Sequence, residues 1–128
     1  MPGSDSRGYT PNTKRHRALA ALGRYQQAIE CYDRALAIEP AYAPVWNNKA
    51  ASLSALGRYQ EAIQCWDRAL GIDPRHANAW YGRANAAEKL GRRNEAVKSY
   101  RRFVEVATCQ HGAEVGWARQ RIRELEAG

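Results

Sequence analysis

The chain has 128 residues, a formal net charge of +7 at pH 7 and a hydrophobic fraction of 45%. This length fits one domain with a modest core, and the scarcity of Val, Ile and Phe argues against a sheet-rich core, since these residues favour strands. The three cysteines form no CxxC motif, so we expect free thiols and a cytoplasmic protein. The basic excess lies at the two ends, and charge alone leaves nucleic acid, an anionic membrane and an acidic protein as partners.

The N-terminal region has no apolar stretch of signal-peptide length. Its sequence is MPGSDSRGYTPNTKRHR, so we expect neither a secretory signal nor a membrane span. We expect a flexible tail over residues 1–11 and a folded domain over residues 12–128.

A long internal repeat dominates the rest of the chain. LGRYQQAIECYDRALAIEP at residues 22–40 returns as LGRYQEAIQCWDRALGIDP at residues 56–74, 34 residues later, with fourteen of nineteen positions identical. A fixed period of this length indicates stacked supersecondary units that bury their apolar faces against one another.

Each unit has the pattern of two amphipathic helices. In the second unit the apolar positions follow helical spacing, first at Trp46, Ala50, Leu53 and Leu56 and then at Tyr59, Ala62, Ile63, Trp66, Ala69 and Leu70. We expect Gly57 to end the first helix and Pro74 to stop the second. A third unit repeats the pattern more weakly, at Trp80, Ala84, Ala87, Leu90, Gly91, Ala96, Tyr100 and Val104.

A last helix is predicted over residues 113–126. Its inward positions are Val115, Ala118, Ile122 and Leu125, and its mostly outward positions are Arg119, Arg121, Arg123 and Glu124. Such a helix would cover the apolar face of the final unit.

These patterns resemble the tetratricopeptide repeat family. The resemblance rests on the 34-residue period and on the series Trp46, Leu56, Gly57, Tyr59, Ala62, Trp66, Ala69 and Pro74. It implies an all-α fold, a right-handed α-solenoid of three helix hairpins over residues 12–42, 43–76 and 77–110 that ends in the capping helix. It also implies a protein-interaction module without catalysis.

The outer units depart from the family pattern. Pro11 and Asn12 stand where the first unit would have an aromatic anchor, so we expect its first helix to be short. In the third unit Arg93, Phe103 and Thr108 replace the family's Tyr, Ala and Pro.

In stacked helix pairs, one helix of each pair lines the concave side. Polar residues on its non-core face can bind the backbone of an extended peptide, or they can be merely solvated. The candidate peptide-groove residues are Asn47, Asn48, Ala51, Ser54, Asn78, Tyr81, Asn85 and Lys89. Because Lys49, Arg83 and Lys89 lie nearby, we expect an acidic or carboxylate-ended segment of a partner protein.

Some members of the family clamp the carboxylate tail of chaperones with cations and amides on their first helices. The matching positions of this chain hold Thr13, Arg17, Asn48, Asn78 and Gly82. Only Asn48 conforms, so the resemblance does not extend to chaperone-tail binding.

The sequence contains no local motif for catalysis, for a cofactor or for a metal. It has no GxGxxG, Walker loop or HExxH, and we interpret His16, His76 and His111 as surface residues. Cys109 and His111 could supply two metal ligands, but a structural zinc site needs four. We therefore expect no enzyme, no cofactor and no metal site.

Three cations recur at intervals of 34 residues, namely Arg15, Lys49 and Arg83. They could form a cationic ladder that meets a chain of phosphates or carboxylates. Alternatively, Lys49 and Arg83 lie against the tryptophans three residues before them, and we favour this interpretation.

Two other functions stay open at the level of sequence. The basic ends, including KRHR at residues 14–17 and the capping arginines, could bind nucleic acid or another polyanion, but aromatic residues for base stacking are not interleaved with them. A short first helix could also leave the apolar side of residues 25–36 uncovered, so that a homo-oligomer forms through the N-terminal edge.

Overall fold

The computed structural model describes the backbone of residues 13–128 and the side chains of residues 21–128 other than Cys109. This part of the chain forms six α-helices and one short 3-10 turn, and it contains no strand. The helices are α1 (Thr13–Ile38), α2 (Ala43–Ala55), α3 (Tyr59–Ile72), α4 (Ala77–Lys89), α5 (Arg93–Val106) and α6 (Gly112–Ala127), with the turn at Cys109–His111. The tail predicted for residues 1–11 lies outside the described residues.

The two central helix pairs, α2 with α3 and α4 with α5, are joined by the same kind of turn. Gly57 and Gly91 lie one repeat apart and have φ angles of 80° and 75°, which only glycine adopts without strain. The backbone N–H of Arg58 then donates to the carbonyl oxygen of Leu53 over 2.9 Å, and the same bond recurs in the next pair. The predicted helix end at Gly57 is confirmed.

The first unit differs from the other two. Its LGRY sequence at residues 22–25 is the same as at residues 56–59, yet α1 runs through Gly23 as one continuous helix of 26 residues. The hairpin with a short first helix that we predicted for this unit is therefore wrong, whereas the paired helices of units two and three form as expected.

A missing anchor gives a physical reason for this difference. The indole nitrogen of Trp46 donates to the carbonyl oxygen of Pro40 over 2.8 Å, and this ties the start of α2 to the preceding turn. Trp80 makes the same bond one repeat later. One repeat before Trp46 the sequence has Asn12, so the indole that fixes a separate first helix has no counterpart in unit one.

The core consists of closely spaced alanines with a few large rings between them. Among the side chains that the structure describes, nine alanines are at most 1% exposed, namely Ala50, Ala62, Ala69, Ala79, Ala84, Ala86, Ala87, Ala96 and Ala118. Small side chains let the helices approach closely, and Trp66, Tyr100 and Phe103 fill the wider gaps. The predicted inward face of α3 is confirmed.

Helix α6 packs against α5 at the C-terminal end of the stack. Its predicted inward residues are confirmed, since Val115, Ala118, Ile122 and Leu125 all belong to the core or pack against it. The helix thus extends the row of first helices, α2 and α4, by one more member.

Candidate functional site

The eight predicted groove residues lie on α2 and α4, the first helices of units two and three. Four of them are exposed, namely Asn48, Ala51, Asn78 and Lys89. The other four are half-buried, namely Asn47, Ser54, Tyr81 and Asn85. We call the side of the molecule on which these residues lie the groove face.

Two amides of the groove face are bonded to rings of the core. The Oδ1 atom of Asn47 accepts a hydrogen bond from the Trp66 indole nitrogen over 2.8 Å. The Oδ1 atom of Asn85 accepts one from the Tyr100 hydroxyl over 2.7 Å. Trp66 and Tyr100 occupy the same position in successive units, so each amide oxygen orients a core ring and is engaged within the protein.

Glu88 lies at the centre of a polar network between α4, α5 and α6. Its carboxylate accepts hydrogen bonds from the Tyr100 hydroxyl and from the Arg121 guanidinium, with which it forms an ion pair. Arg121 also pairs with Glu124, with 2.6 Å between Nη1 and Oε1. Because a phenol has one proton, Tyr100 donates to either Asn85 or Glu88 at any moment.

These contacts shift the pKa values of the network. Burial opposes ionisation of Glu88, but the hydrogen bonds from Arg121 and Tyr100 outweigh it and lower the pKa of this carboxyl. Burial, followed by the hydrogen bond to Glu88, raises the pKa of the Tyr100 phenol far above its ordinary value. At pH 7 Glu88 is therefore ionised and Tyr100 is neutral, and Arg121 balances the carboxylate.

Helix α6 adds Trp117 and Arg121 to the groove face, and our prediction from sequence included neither. The Trp117 ring is 44% exposed, and its centroid lies 5.9 Å from that of Tyr81 and 5.7 Å from that of Tyr100, edge to face. The mostly outward position predicted for Arg121 is corrected, since its guanidinium reaches Glu88. The sequence held one signal that Arg121 lies on the same face as Trp117, because residues four apart on a helix share a face.

A cleft of about 620 Å³ lies between α4 and α6 on the groove face. The residues that line it are Asn85, Glu88, Lys89, Trp117, Arg121 and Glu124. It combines one aromatic wall with charged groups that are largely paired.

Two members of the cationic ladder, the alternative that we did not favour, are neutralised by acidic residues of the preceding helix. Lys49 Nζ lies 2.6 Å from Asp33 Oδ1, and Arg83 Nε lies 2.7 Å from Asp67 Oδ1, one repeat further on. Lys49 also lies 5.6 Å from the centroid of the Trp46 ring, as the favoured interpretation predicts. The side chain of Arg15 lies outside the described ones.

The ring of Trp80 is covered by a different cation from the one predicted. The guanidinium of Arg102 lies 5.4 Å from its centroid. Arg83, which we expected there, instead binds Asp67 and donates to the Ser99 hydroxyl over 2.9 Å. This pairing joins α4 to both neighbouring helices.

Part of the C-terminal positive charge is also paired. Arg101 forms an ion pair with Glu126, and Arg102 forms one with Glu105. Arg119 and Arg123 are exposed and line a second cleft of about 360 Å³ between α5 and α6. The basic surface available to a polyanion is thus smaller at this end than the sequence suggests.

Among the described residues, no group of three or more His, Cys, Asp or Glu side chains could hold a metal ion. The His111 Nδ1 atom accepts from the backbone N–H of Thr108 over 3.3 Å and closes the turn before α6. Cys31 and Cys65 are free thiols, the first exposed and the second buried. No helix in the described part of the chain is long and apolar enough to span a membrane.

Three family models match this sequence. Models described as tetratricopeptide repeat match residues 43–76 and 77–108, and one described as TPR repeat, the abbreviation of the same name, matches residues 17–57. Together the matches run without a gap from residue 17 to residue 108. No curated protein matches the chain.

Several solved structures are similar. The Sgt2 TPR domain from Aspergillus fumigatus is 25% identical, with a TM-score of 0.69 over 100% of this chain and 84% of that one. The OM64 TPR domain from Arabidopsis is 26% identical, with a TM-score of 0.73 over 84% of this chain and 88% of that one. The second TPR domain of human RPAP3, solved with the HSP70 peptide SGPTIEEVD, is 26% identical, with a TM-score of 0.66 over 84% of this chain and 92% of that one.

Proposed function

Because this chain belongs to the tetratricopeptide repeat family, we propose that it is a protein–protein interaction module and not an enzyme. It binds an extended segment of a partner protein along the groove face, with the centre of the site at the cleft between α4 and α6. The observation that carries the proposal is the exposed ring of Trp117 at the wall of that cleft.

Trp117 supplies the apolar anchor of the site. Its ring is held edge to face by Tyr81 and Tyr100, so little conformational entropy is lost when a ligand covers it. Aromatic side chains that a partner buries on binding often dominate the energy of a protein interface. A partner segment is therefore expected to place an apolar side chain against this ring.

Exposed polar residues elsewhere on the groove face can bind the backbone of the segment. Asn48 on α2 and Asn78 on α4 each carry an amide that donates and accepts, as an extended peptide requires. Ala51 is exposed and small, so it obstructs a peptide on this face little. Asn47 and Asn85 contribute less, because their oxygen atoms already bind Trp66 and Tyr100.

The charge of the site favours a segment with a carboxylate, but only modestly. Arg121 is balanced by Glu88 and Glu124, and this leaves Lys89 as the exposed cation of the cleft. A single exposed cation contributes little affinity and is screened by salt. We expect binding to weaken slightly as salt is raised, and the apolar contact with Trp117 to dominate.

The human RPAP3 domain supports binding of a peptide, since that domain was solved with one. Gly82 argues against the same ligand here, because a Cβ at this position would lie 2.6 Å from Trp66 Cε2. No side chain, and hence no cation, can stand at this position, which belongs to the chaperone clamp of other family members, unless Trp66 moves. We therefore expect the partner to be a protein other than the chaperones whose carboxylate tails some family members clamp.

Selection of random peptides displayed on phage tests the proposal. Peptides enriched on the parent protein should lose about fivefold or more in affinity for Trp117→Ala, because a central aromatic anchor contributes ~1–3 kcal/mol. Lys89→Glu should weaken acidic peptides and spare neutral ones. Far-ultraviolet circular dichroism verifies that both variants keep their helices.

Arg119→Ala is the matched control, since Arg119 is an exposed residue of the same helix that lines the other cleft. Unchanged affinity for Arg119→Ala supports the site at Trp117. If Arg119→Ala abolished binding and Trp117→Ala did not, the site would lie on the basic side of α6 and polyanions would become the expected ligands. A mobility-shift assay with random RNA and DNA examines that alternative directly.

A further inference from the structure

The first unit has a helix face that no helix in the described part of the chain covers. In unit two the residues of α3 that face inward are buried, namely Ala62, Trp66 and Ala69. Their counterparts one repeat earlier are half-buried or exposed, namely Ala28, Tyr32 and Ala35. Tyr25, at the start of this face, is also exposed. Unit one thus presents the side that a first helix covers in unit two.

The sequence of the missing helix is present in the chain. Residues 13–22 precede Gly23 as residues 47–56 precede Gly57. Leu19 and Leu22 stand one repeat before Leu53 and Leu56, which belong to the core or pack against it. Residues 13–22 therefore have leucines at the positions that pack the first helix onto the second in unit two.

In the continuous helix α1, residues 13–22 extend along the helix axis away from the uncovered face at residues 25–36. At a rise of 1.5 Å per residue, residues 13–22 extend about 15 Å beyond Gly23 along the axis of the helix. A straight helix cannot fold back on itself. Residues 13–22 therefore cannot cover residues 25–36 of the same molecule.

We propose that two copies of this chain exchange these segments, so that residues 13–22 of each copy cover the face at residues 25–36 of the other. The two α1 helices lie antiparallel about a twofold axis near Gly23, and each copy gives and receives the same contacts. The dimer recreates for unit one the helix pair of unit two, with the first helix supplied by the second molecule. The conformation of one glycine separates the two arrangements, since Gly23 is helical and Gly57 has a φ of 80° in its turn.

A pair of cysteines distinguishes exchange from a hairpin within one chain. Leu53 and Ala62 lie in the core of the unit-two pair, and their counterparts are Leu19 and Ala28. A chain with Leu19→Cys and Ala28→Cys, and with Cys31→Ser and Cys109→Ser to leave the buried Cys65 as the one other thiol, is oxidised and run on a non-reducing gel. A covalent dimer that reduction abolishes supports exchange. An internal disulfide within a monomer, or no disulfide, overturns it.

Gly23, whose conformation separates the two arrangements, supplies a second test. Gly23→Ala disfavours the turn that a dissociated chain needs to close its own hairpin, which competes with the dimer, so sedimentation velocity should give a dimer dissociation constant at least about fivefold smaller than in the parent. Gly71→Ala is the matched control, because Gly71 is a helical glycine of α3 with open space around it, and it should leave the dimer constant unchanged. An unchanged or weaker dimer for Gly23→Ala contradicts the proposal.

A charged residue in the exchanged segment provides a third test of the dimer. Leu19→Asp should make the chain monomeric at all concentrations, whereas Gln27→Asp at an exposed position of α1 should leave the dimer intact. Circular dichroism should show that both variants retain units two and three. A parent chain that sediments as a monomer throughout the concentration series, or a Leu19→Asp variant that dimerises like the parent, overturns the exchange.

Discussion

The indole nitrogen of Trp66 donates a hydrogen bond to the side-chain oxygen of Asn47 over 2.8 Å, and the tryptophan is only 4% exposed. Asn47 lies on the groove face, but its oxygen satisfies a donor of the core. A buried indole N–H without a partner costs free energy that a solvated amide does not. This amide therefore contributes to stability before it contributes to recognition.

Asn47→Ala should lower the free energy of unfolding by about 1–3 kcal/mol, because it leaves the Trp66 indole N–H unpaired. Asn48→Ala is the control, because Asn48 is exposed and is the next residue of the same helix. Its replacement by alanine brings the same gain in helix propensity. Its effect should stay within about 0.5 kcal/mol. Urea denaturation followed by circular dichroism measures both, and equal effects would mean that the bond to Trp66 contributes nothing.

Gly82→Ala should destabilise the protein by about 1–3 kcal/mol, because its methyl group would overlap the Trp66 ring. Gly71→Ala, which adds a methyl in open space within a helix, should instead stabilise it by up to about 1 kcal/mol. Thermal unfolding of the two variants compares them. A gain in stability for both would show that Trp66 moves aside at little cost.

Glu88→Gln should make the protein less sensitive to acid. The pKa of Glu88 is lowered in the folded state, so its stabilising contribution is complete above the pKa of the unfolded chain, about 4.3, and is lost as pH falls through the folded pKa. The parent should lose more unfolding free energy than the variant between pH 7 and the acid range below about pH 4. Urea titrations of the parent and of Glu88→Gln at several pH values measure this difference. Coinciding pH dependences would show that Glu88 does not cause the acid sensitivity.

The two described cysteines should react at very different rates with a thiol reagent. Cys31 is exposed and Cys65 is buried, and burial raises the pKa of the Cys65 thiol, so its reactive thiolate is scarce as well as inaccessible. Mass spectrometry of the native protein should find Cys31 modified first and Cys65 modified only after unfolding. Rapid modification of Cys65 in the native state would place α3 with the wrong face inward.

The helix pairs of units two and three could be predicted because their determinants are local. Apolar spacing fixes the faces, and Gly57 and Gly91 supply the left-handed conformation that each turn needs. The same reasoning fails in unit one, where LGRY is helical although it forms a turn elsewhere. Whether this tetrapeptide turns depends on residues outside it, such as the anchor that Trp46 provides and Asn12 does not.

The groove face could be predicted only in part. Helical period places Asn47 and Asn85 off the apolar stripe, but the direction of an amide oxygen depends on which ring the neighbouring helix brings near it. Trp117 was missed for a different reason. It follows Tyr81 by 36 positions instead of 34, and α6 begins 35 residues after α4, so a fixed period of 34 passes over it.

The close fit of Trp66 beside Gly82 also means that the repeat units are not interchangeable. One unit earlier, the position of Gly82 holds Asn48 and the position of Trp66 holds the smaller ring of Tyr32. A tandem duplicate of residues 43–76 would bring a second Asn48 against the first Trp66, where even a Cβ has no room. Growth of this solenoid by copying its most regular unit would therefore fail at the junction, unless the copy also acquired a glycine at the position of Asn48.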